Sequence, residues 1–440
     1  MAAKYDLIII GAGILGLSCA YHIKKNNPGK TILVLDKFSD VGQGNSARSN
    51  AMFRNTFTSS DNLVLSDTSI DFYLDTQKSG LDLGLRKTGY LWVMDEKQLS
   101  ANRQYIDEMH DNKIEIELLD KQDLKKRIPS LVTEFGSSDD EVRLMKLGDV
   151  SGAVFGIKCG RLDPAKLTRF YANAFVSLGG KVSVNTNVVS LISGAKEPIG
   201  IDGEPFVWQE GRVTGVHVEG NINGDISAEN VVIAAGVWNN ELLDPLGIDG
   251  HVKAKKRQIF TIPAQGSALK SLMYNPNFSK QGVLPFIILP KSGCYIKAVD
   301  EENEFWVACE DDFNRPYYNT PEKTLNDLKA EPDYYEKNVY PIVRKYLPEF
   351  ENLAPKNMWA GYYSMHTADS IPFLFAQNGM IICGGGSGSG IMKGDSMGRL
   401  VDAMYREGEH AEAILYPNRR YPIDKLSFRY RNVEREEWVI

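Results

Sequence analysis

The chain has 440 residues, 43% hydrophobic and 24% charged, with a formal net charge of −7. That is ordinary globular composition, long enough for two domains, and its acidic balance supplies no basic field for a nucleic-acid partner. Five scattered cysteines (Cys19, Cys159, Cys294, Cys309 and Cys383) without a CxxC pair argue against a disulfide framework or a structural zinc site, and for a reducing cytoplasm.

The apolar start, LIIIGAGILGL, does not read as a signal peptide: Asp6 precedes it, Gly-Ala-Gly interrupts it, and no small-residue cleavage site follows. No run of about 20 apolar residues occurs elsewhere, so no transmembrane helix is expected; peripheral membrane contact stays open. Residues 5–10, YDLIII, predict a short buried strand. Gly11-Ala-Gly13-Ile14-Leu15-Gly16 follows, then LSCAYHIKKN with helical spacing, and TILVLD (31–36) as a second strand. A polar stretch (42–58) leads to a helix at NLVLSDTSIDFYLDTQK. TGYLWVMD (88–95) reads as a strand, followed through residue 149 by helices rich in Lys, Asp and Glu. A helix at 164–179 precedes strands at 181–192 and 211–220, and NVVIAAGVWNNELLDPLG (230–247) reads as strand, glycine turn and helix start. Residues 251–310 alternate with period two between Gly and Pro, the pattern of an antiparallel sheet, and 321–347 is charged and helical. The end returns to strand, glycine loop and helix in GMIICGGGSGSGIMKGDSMGRLVDAMY (379–405).

The first glycine motif meets the contextual demands of a dinucleotide fingerprint: it follows a strand, opens a helix, and has Asp36 at the end of the next strand. Gly11 permits the tight turn, Gly13 lets a pyrophosphate approach the backbone, and Gly16 allows close helix–sheet packing. The helix N-terminus then offers N–H groups to phosphate. Asp36 suits ribose hydroxyls and would repel a 2′-phosphate, which argues against NADP and leaves NAD and FAD. The second loop packs five glycines and two serines into residues 384–390, between a strand and a helix. A flexible linker would have neither neighbour, so this loop reads as a second helix N-terminus brought to the cofactor. Such an end stabilises negative charge on a reduced flavin by up to ~2 kcal/mol when partly buried.

Four stretches taken together resemble the D-amino-acid-oxidase-like family of FAD oxidoreductases, which includes sarcosine and glycine oxidases and dye-linked L-proline dehydrogenases. They are IIIGAGILGLSCAYHI with Asp36, the loop GQGNSARSNAMFR (42–54), NVVIAAGVWN, and GYYSMHTADSIPFL followed by GGGSGSGIMKGDSMG. The resemblance implies an α/β plus α+β architecture. A discontinuous Rossmann-like FAD-binding domain (1–85, 150–235 and 356–420) would carry an inserted, mainly antiparallel-sheet substrate domain (86–149 and 236–355) and a C-terminal tail (421–440). It implies FAD contacts from Gly11, Gly13, Ile14, Leu15, Gly16, Asp36, Lys37, Ser46, Arg48, Ser49 and Ala51. Further contacts would come from Val188, Ala235, Gly236, Trp238, Gly361, Gly388, Ser389, Gly390, Ile391, Met392 and Lys393. Arg54 matches the position that meets a substrate carboxylate; an Arg fork reads a carboxylate with two parallel hydrogen bonds.

Two departures qualify the transfer. GYYSMHTADSIP lacks the cysteine through which several relatives attach FAD, so non-covalent FAD is expected. The family's late lysine aligns with Met392, leaving Lys393 one place off. Tyr362 and Tyr363 are candidate walls for the substrate, and His366 a candidate for amine deprotonation or a flavin contact. Arg54, His366 and Lys393 are thus the expected catalytic set, and no metal site is expected. The expected reaction is oxidation of a small amino or imino acid, a secondary amine such as L-proline or sarcosine, with a dye, quinone or oxygen as acceptor. Rival readings are a 2-hydroxy-acid or glycerol 3-phosphate dehydrogenase, a non-catalytic flavin-binding subunit of a hetero-oligomer, and an NAD enzyme that would leave the second loop unexplained. Homo- or hetero-oligomeric assembly stays open, and the tail could dock a partner or cover its own chain.

Overall fold

The computed structural model describes residues 4–290, 293–310, 315–317 and 329–433. The first strand, Lys4–Ile10, has its last four residues fully buried, the mark of a strand covered on both faces. It runs parallel between Gly224–Ile233 and Ile32–Leu35, with Ile8 opposite Val231 on one side and Leu33 on the other. This sheet continues through Met380–Gly384 to Phe373–Gln377 at one edge and to Lys181–Ser183 at the other; Gly211–Gly220 and Thr186–Ala195 extend it as an antiparallel hairpin. The helices Ile14–Asn26 and Gly394–Glu407, each following one glycine loop, press together on the sheet. A side chain at Gly398 would sit 2.1 Å from Ser18 Oγ, and one at Gly394 2.6 Å from Ile14 Cγ1. Both helix N-termini therefore open on one side of the sheet.

The second sheet is mostly antiparallel, in the order Asn357–Met365, Lys253–Pro263, Glu304–Ala308, Tyr295–Val299, Phe286–Ile288, Tyr90–Met94, Gly152–Gly156 and Ile116–Asp120. Three expected boundaries are corrected here. Gly152–Gly156 pairs with Tyr90–Met94 and Ile116–Asp120, so the second sheet reaches past residue 150. Asn357–Met365 pairs along its length with Lys253–Pro263, so residues beyond 356 begin in the second sheet, not the first. Leu242, Leu243, Ile248 and Val252 pack in one core with Ile8 and Val231, so the stretch after 236 stays with the first sheet. Strand periodicity marks a strand but not the sheet it joins, since pairing is decided by contacts distant in sequence.

Cys294 and Cys309 are paired as a disulfide, the one pair among cysteines that were not expected to form a disulfide framework; Cys19, Cys159 and Cys383 are free and buried. Among the described residues no helix is long and apolar enough to cross a membrane, and no group of His, Cys, Asp and Glu is placed to hold a metal ion. The tail folds back on its own chain as far as it is described, with Arg419–Pro422 paired to Glu412–Leu415. Residues 434–440 of the expected tail and 321–328 of the expected helical stretch lie outside the described residues.

Candidate active site

The first glycine loop is held from several directions. Gly11 adopts φ 107°, and a side chain there would meet Ala234 O at 2.6 Å. The Asp36 carboxylate accepts the N–H groups of Ala12 (2.6 Å) and Phe38 (2.9 Å), tying the loop to the second strand. Burial raises the Asp36 carboxyl above its ordinary value. Ser46 Oγ accepts from Ile14 N at 3.1 Å, and the first turn of the helix carries no acidic side chain to offset its positive end. Gly16 does not reach the cleft. Its Cβ would stand 1.9 Å from Gly11 O, so its role is packing, and the expectation of a cofactor contact there is corrected. Gly16→Ala should lower the stability of the flavin-free protein by roughly 2–3 kcal/mol, read as a fall in melting temperature.

A cleft with about 1230 Å³ of empty space runs from this loop to the second one. Gly11, Gly13, Ile14, Leu15, Asp36, Lys37, Ser46, Ser49, Val188, Ala235, Gly236, Trp238, Gly388, Gly390 and Ile391 line it, as does Tyr362, expected instead at the substrate. At one end the Lys37 ammonium lies 4.0 Å from the Trp238 ring, whose edge meets Phe38. A Cβ on Gly236 or Gly390 would meet no protein atom within 4 Å, so the backbone at both is open to whatever fills the cleft. Two helix N-termini, an acid on the second strand and glycine backbone at both ends form a donor set that fits a dinucleotide such as FAD.

A smaller chamber with about 680 Å³ of empty space adjoins the cleft. Ser49, Tyr363, Ser387, Gly388 and Ile391 border both cavities. The chamber is also lined by Arg54, Phe57, Asn62, Tyr90, Ser370 and Ser389. Ala51 and Met392 belong here rather than to the cleft, as does Ser389. Arg54 is 5% exposed; its guanidinium carbon lies 4.0 Å from the Phe57 ring, and Nη1 donates to Thr56 O. Tyr90 and Tyr363 are buried, which raises both phenols above their ordinary value. Three non-glycine residues on the chamber wall hold left-handed backbone: Ala51 (φ 54°), Ser370 (φ 60°) and Ser387 (φ 44°). Strain of this kind persists where surrounding structure imposes it, and it concentrates at functional sites.

Four other expectations are corrected. Lys393 borders neither cavity: it is fully buried, and Nζ donates to Asn62 Oδ1 at 2.6 Å and to Ser389 Oγ, so it supports the chamber wall from behind. His366 also borders neither cavity; its Nδ1 lies 2.6 Å from Asp369 and its ring packs on Phe373 and Phe428. Arg48 braces the second sheet, with Nη1 3.4 Å from Ala360 O and its own carbonyl accepting Trp359 Nε1–H. A side chain at Gly361 would approach Arg48 Cβ at 3.1 Å, so that glycine makes room for Arg48.

Several lining residues were not anticipated. Asn45 and Ser387 lie inside stretches already singled out; Asn45 Oδ1 accepts from Tyr362 N at 3.0 Å, joining the early loop to the second sheet. Phe38, Asn187 and Glu241 neighbour anticipated positions. Phe57, Asn62 and Tyr90 come from separate segments with no motif among them. Lys297 stands behind the chamber, its ammonium donating to Asn50 O at 2.6 Å and lying 4.1 Å from the Trp306 ring. Burial lowers it from 10.5 to about 7. The folded state therefore binds fewer protons than the unfolded chain between those values. The cost of charging this buried amine is fully present below about pH 7 and is relieved as pH rises. Lys297→Met should flatten the rise in unfolding free energy between neutral and mildly alkaline pH, measured by denaturant melts.

The family described as FAD dependent oxidoreductase (DAO) matches residues 6–404. FAD-dependent oxidoreductase domain-containing protein 1 of Bos taurus is 23% identical, over 94% of this chain and 84% of its own. Peroxisomal sarcosine oxidase of Homo sapiens is 28% identical over 57% of this chain and 55% of its own. Among solved structures, L-proline dehydrogenase from P. horikoshii has the same fold, with a TM-score of 0.72 at 20% identity, covering 97% of each chain.

Proposed function

The chain belongs to the DAO family of FAD dependent oxidoreductases, and on that premise we propose that it oxidises a small amino or imino acid at the carbon next to nitrogen. A secondary amine such as L-proline or sarcosine is the preferred substrate class. FAD, held without a covalent link, supplies the two-electron acceptor for the C–H bond. No cysteine or histidine is among the described residues lining the cleft, which supports a dissociable cofactor; acid precipitation should release it.

The observation that carries the reading is the chamber itself: one buried arginine, aromatic walls, and no carboxylate or imidazole among its described lining residues. Arg54 binds the carboxylate, while Phe57, Tyr90 and Tyr363 exclude water and orient the rest of the molecule. An alcohol sheds its O–H proton as hydride leaves and calls for a base beside it. An amine instead reaches its reactive form by losing an ammonium proton to water beforehand. Burial keeps the Tyr90 and Tyr363 phenols protonated near neutrality, so neither serves as that base. This favours amine over hydroxyl substrates. Dye-coupled turnover of L-proline, sarcosine, glycine, 2-hydroxyglutarate and glycerol 3-phosphate tests it. Turnover of the amines is expected; turnover confined to 2-hydroxyglutarate or glycerol 3-phosphate would contradict it. The electron acceptor is a dye-like quinone or oxygen.

A further inference from the structure

Arg431 comes from the last described turn of the tail, yet its side chain is only 4% exposed. Nη1 donates to Pro372 O at 2.8 Å, and Nη2 donates to Asp369 Oδ1 at 2.8 Å. The Asp369 side chain is fully buried; it also accepts Ile371 N–H at 2.9 Å and lies 2.6 Å from His366 Nδ1. The short contact places the imidazole proton on Nδ1. Arg431 and His366 then donate to one carboxylate, and the 3.0 Å between Nη2 and Nδ1 is proximity between two donors. Phe428, three residues before Arg431, seals the cluster by packing on His366 and Phe373 with ring centres 4.8 and 5.0 Å away.

The segment gripped this way carries the site. Ser370, at φ 60°, borders the chamber, and its N–H donates to His366 O at 3.0 Å. His366 N–H donates to Ser387 Oγ at 3.0 Å; Ser387, at φ 44°, borders both cavities. Gly385 leaves no space between the second glycine loop and this segment, since a side chain there would stand 2.9 Å from His366 Cβ. The second loop and the chamber wall thus both rest on a carboxylate whose cationic partner arrives from the chain's far end. Resting on the reading of the chamber as the substrate site, we propose that Arg431 is a positioning residue. Through Asp369 and His366 it fixes the two left-handed serines at the junction of chamber and cleft. Without the guanidinium, the buried Asp369 carboxylate would keep only His366 and the Ile371 N–H as partners and would draw the segment toward water.

The test uses full-length, flavin-loaded Arg431→Met, Arg431→Lys and Arg431→Ala. The midpoint potential of the bound flavin is measured without substrate, and kcat and KM with L-proline. Arg431→Met is expected to keep FAD, shift the midpoint potential and lower kcat about 10- to 100-fold, with a smaller change in KM. Arg431→Lys keeps the charge without the fork and should fall between, and added guanidinium ion should partly restore Arg431→Ala. Should Arg431→Met fail to fold, Arg431→Lys decides: wild-type potential and kcat in that variant overturn the proposal. A lowered melting temperature with unchanged potential, kcat and KM overturns it as well. If the wild-type protein oxidises no amine, the functional reading fails, and an unshifted potential in the variants then separately overturns the positioning role.

Discussion

Arg54→Met is expected to lower kcat/KM for a carboxylate-bearing amine by about 10²–10⁴-fold while leaving FAD content unchanged. Two parallel charge-assisted hydrogen bonds at roughly 1.5–3 kcal/mol each give this range. The upper half applies because Arg54 is 5% exposed, so water does not replace the lost donors. Its guanidinium is oriented before substrate arrives, by Phe57 on one face and Thr56 O at Nη1. Little of its rotamer entropy is then left to lose on binding. Arg54→Lys should recover only part of the loss, because a point charge cannot reproduce the fork. An amine without a carboxylate should be nearly indifferent to both substitutions. Steady-state kinetics with paired substrates decides the matter, and an unchanged KM for the carboxylate substrate would remove Arg54 from the site.

Gly390→Val is expected to yield a folded, colourless protein. A Cβ at Gly390 meets no protein atom within 4 Å, although the residue lines the cleft. Its φ is not among the left-handed values, so valine fits the backbone. The flavin-free protein should therefore melt within about 2 °C of wild type, as for substitutions that touch nothing. The added methyls project into the space the cofactor takes, and FAD should fail to rebind at concentrations that saturate wild type. The pair with Gly16→Ala is diagnostic: there the Cβ collides with Gly11 O at 1.9 Å, so stability falls first. Equal FAD affinity for Gly390→Val and wild type would mean that the second loop is not part of the cofactor site.

The parts of the fold legible in sequence are those written locally. A strand, a glycine turn and a helix occupy Lys4–Asn26, and Asp36 follows the next strand, as the fingerprint requires; that its carboxylate accepts Ala12 N–H emerges only in the structure. The second loop was readable for the same reason, since Met380–Gly384 and the helix from Gly394 flank it directly. Legibility ended where a side chain's surroundings come from elsewhere in the chain. His366 follows Tyr362 and Tyr363 closely, yet the strand ends at Met365 and the next residue turns away from both cavities toward Arg431, far along the chain. Lys393 and Met392 are adjacent, but one lies behind the chamber against Asn62 and the other forms its wall. The chamber gathers Arg54, Tyr90 and Ser389 from three regions far apart in sequence. No spacing rule within one segment encodes such a convergence.

The account turns on the cleft holding FAD beside a chamber that accepts a small amino or imino acid. The most direct measurement is the visible absorption spectrum of the purified, flavin-loaded protein during anaerobic addition of L-proline, repeated with sarcosine. Bleaching of the flavin band by stoichiometric amine, with release of the chromophore on acid precipitation, is the predicted result. A flavin band that persists with every amine but bleaches with 2-hydroxyglutarate or glycerol 3-phosphate would contradict the substrate assignment. A protein that takes up no FAD at all would contradict the account at its foundation.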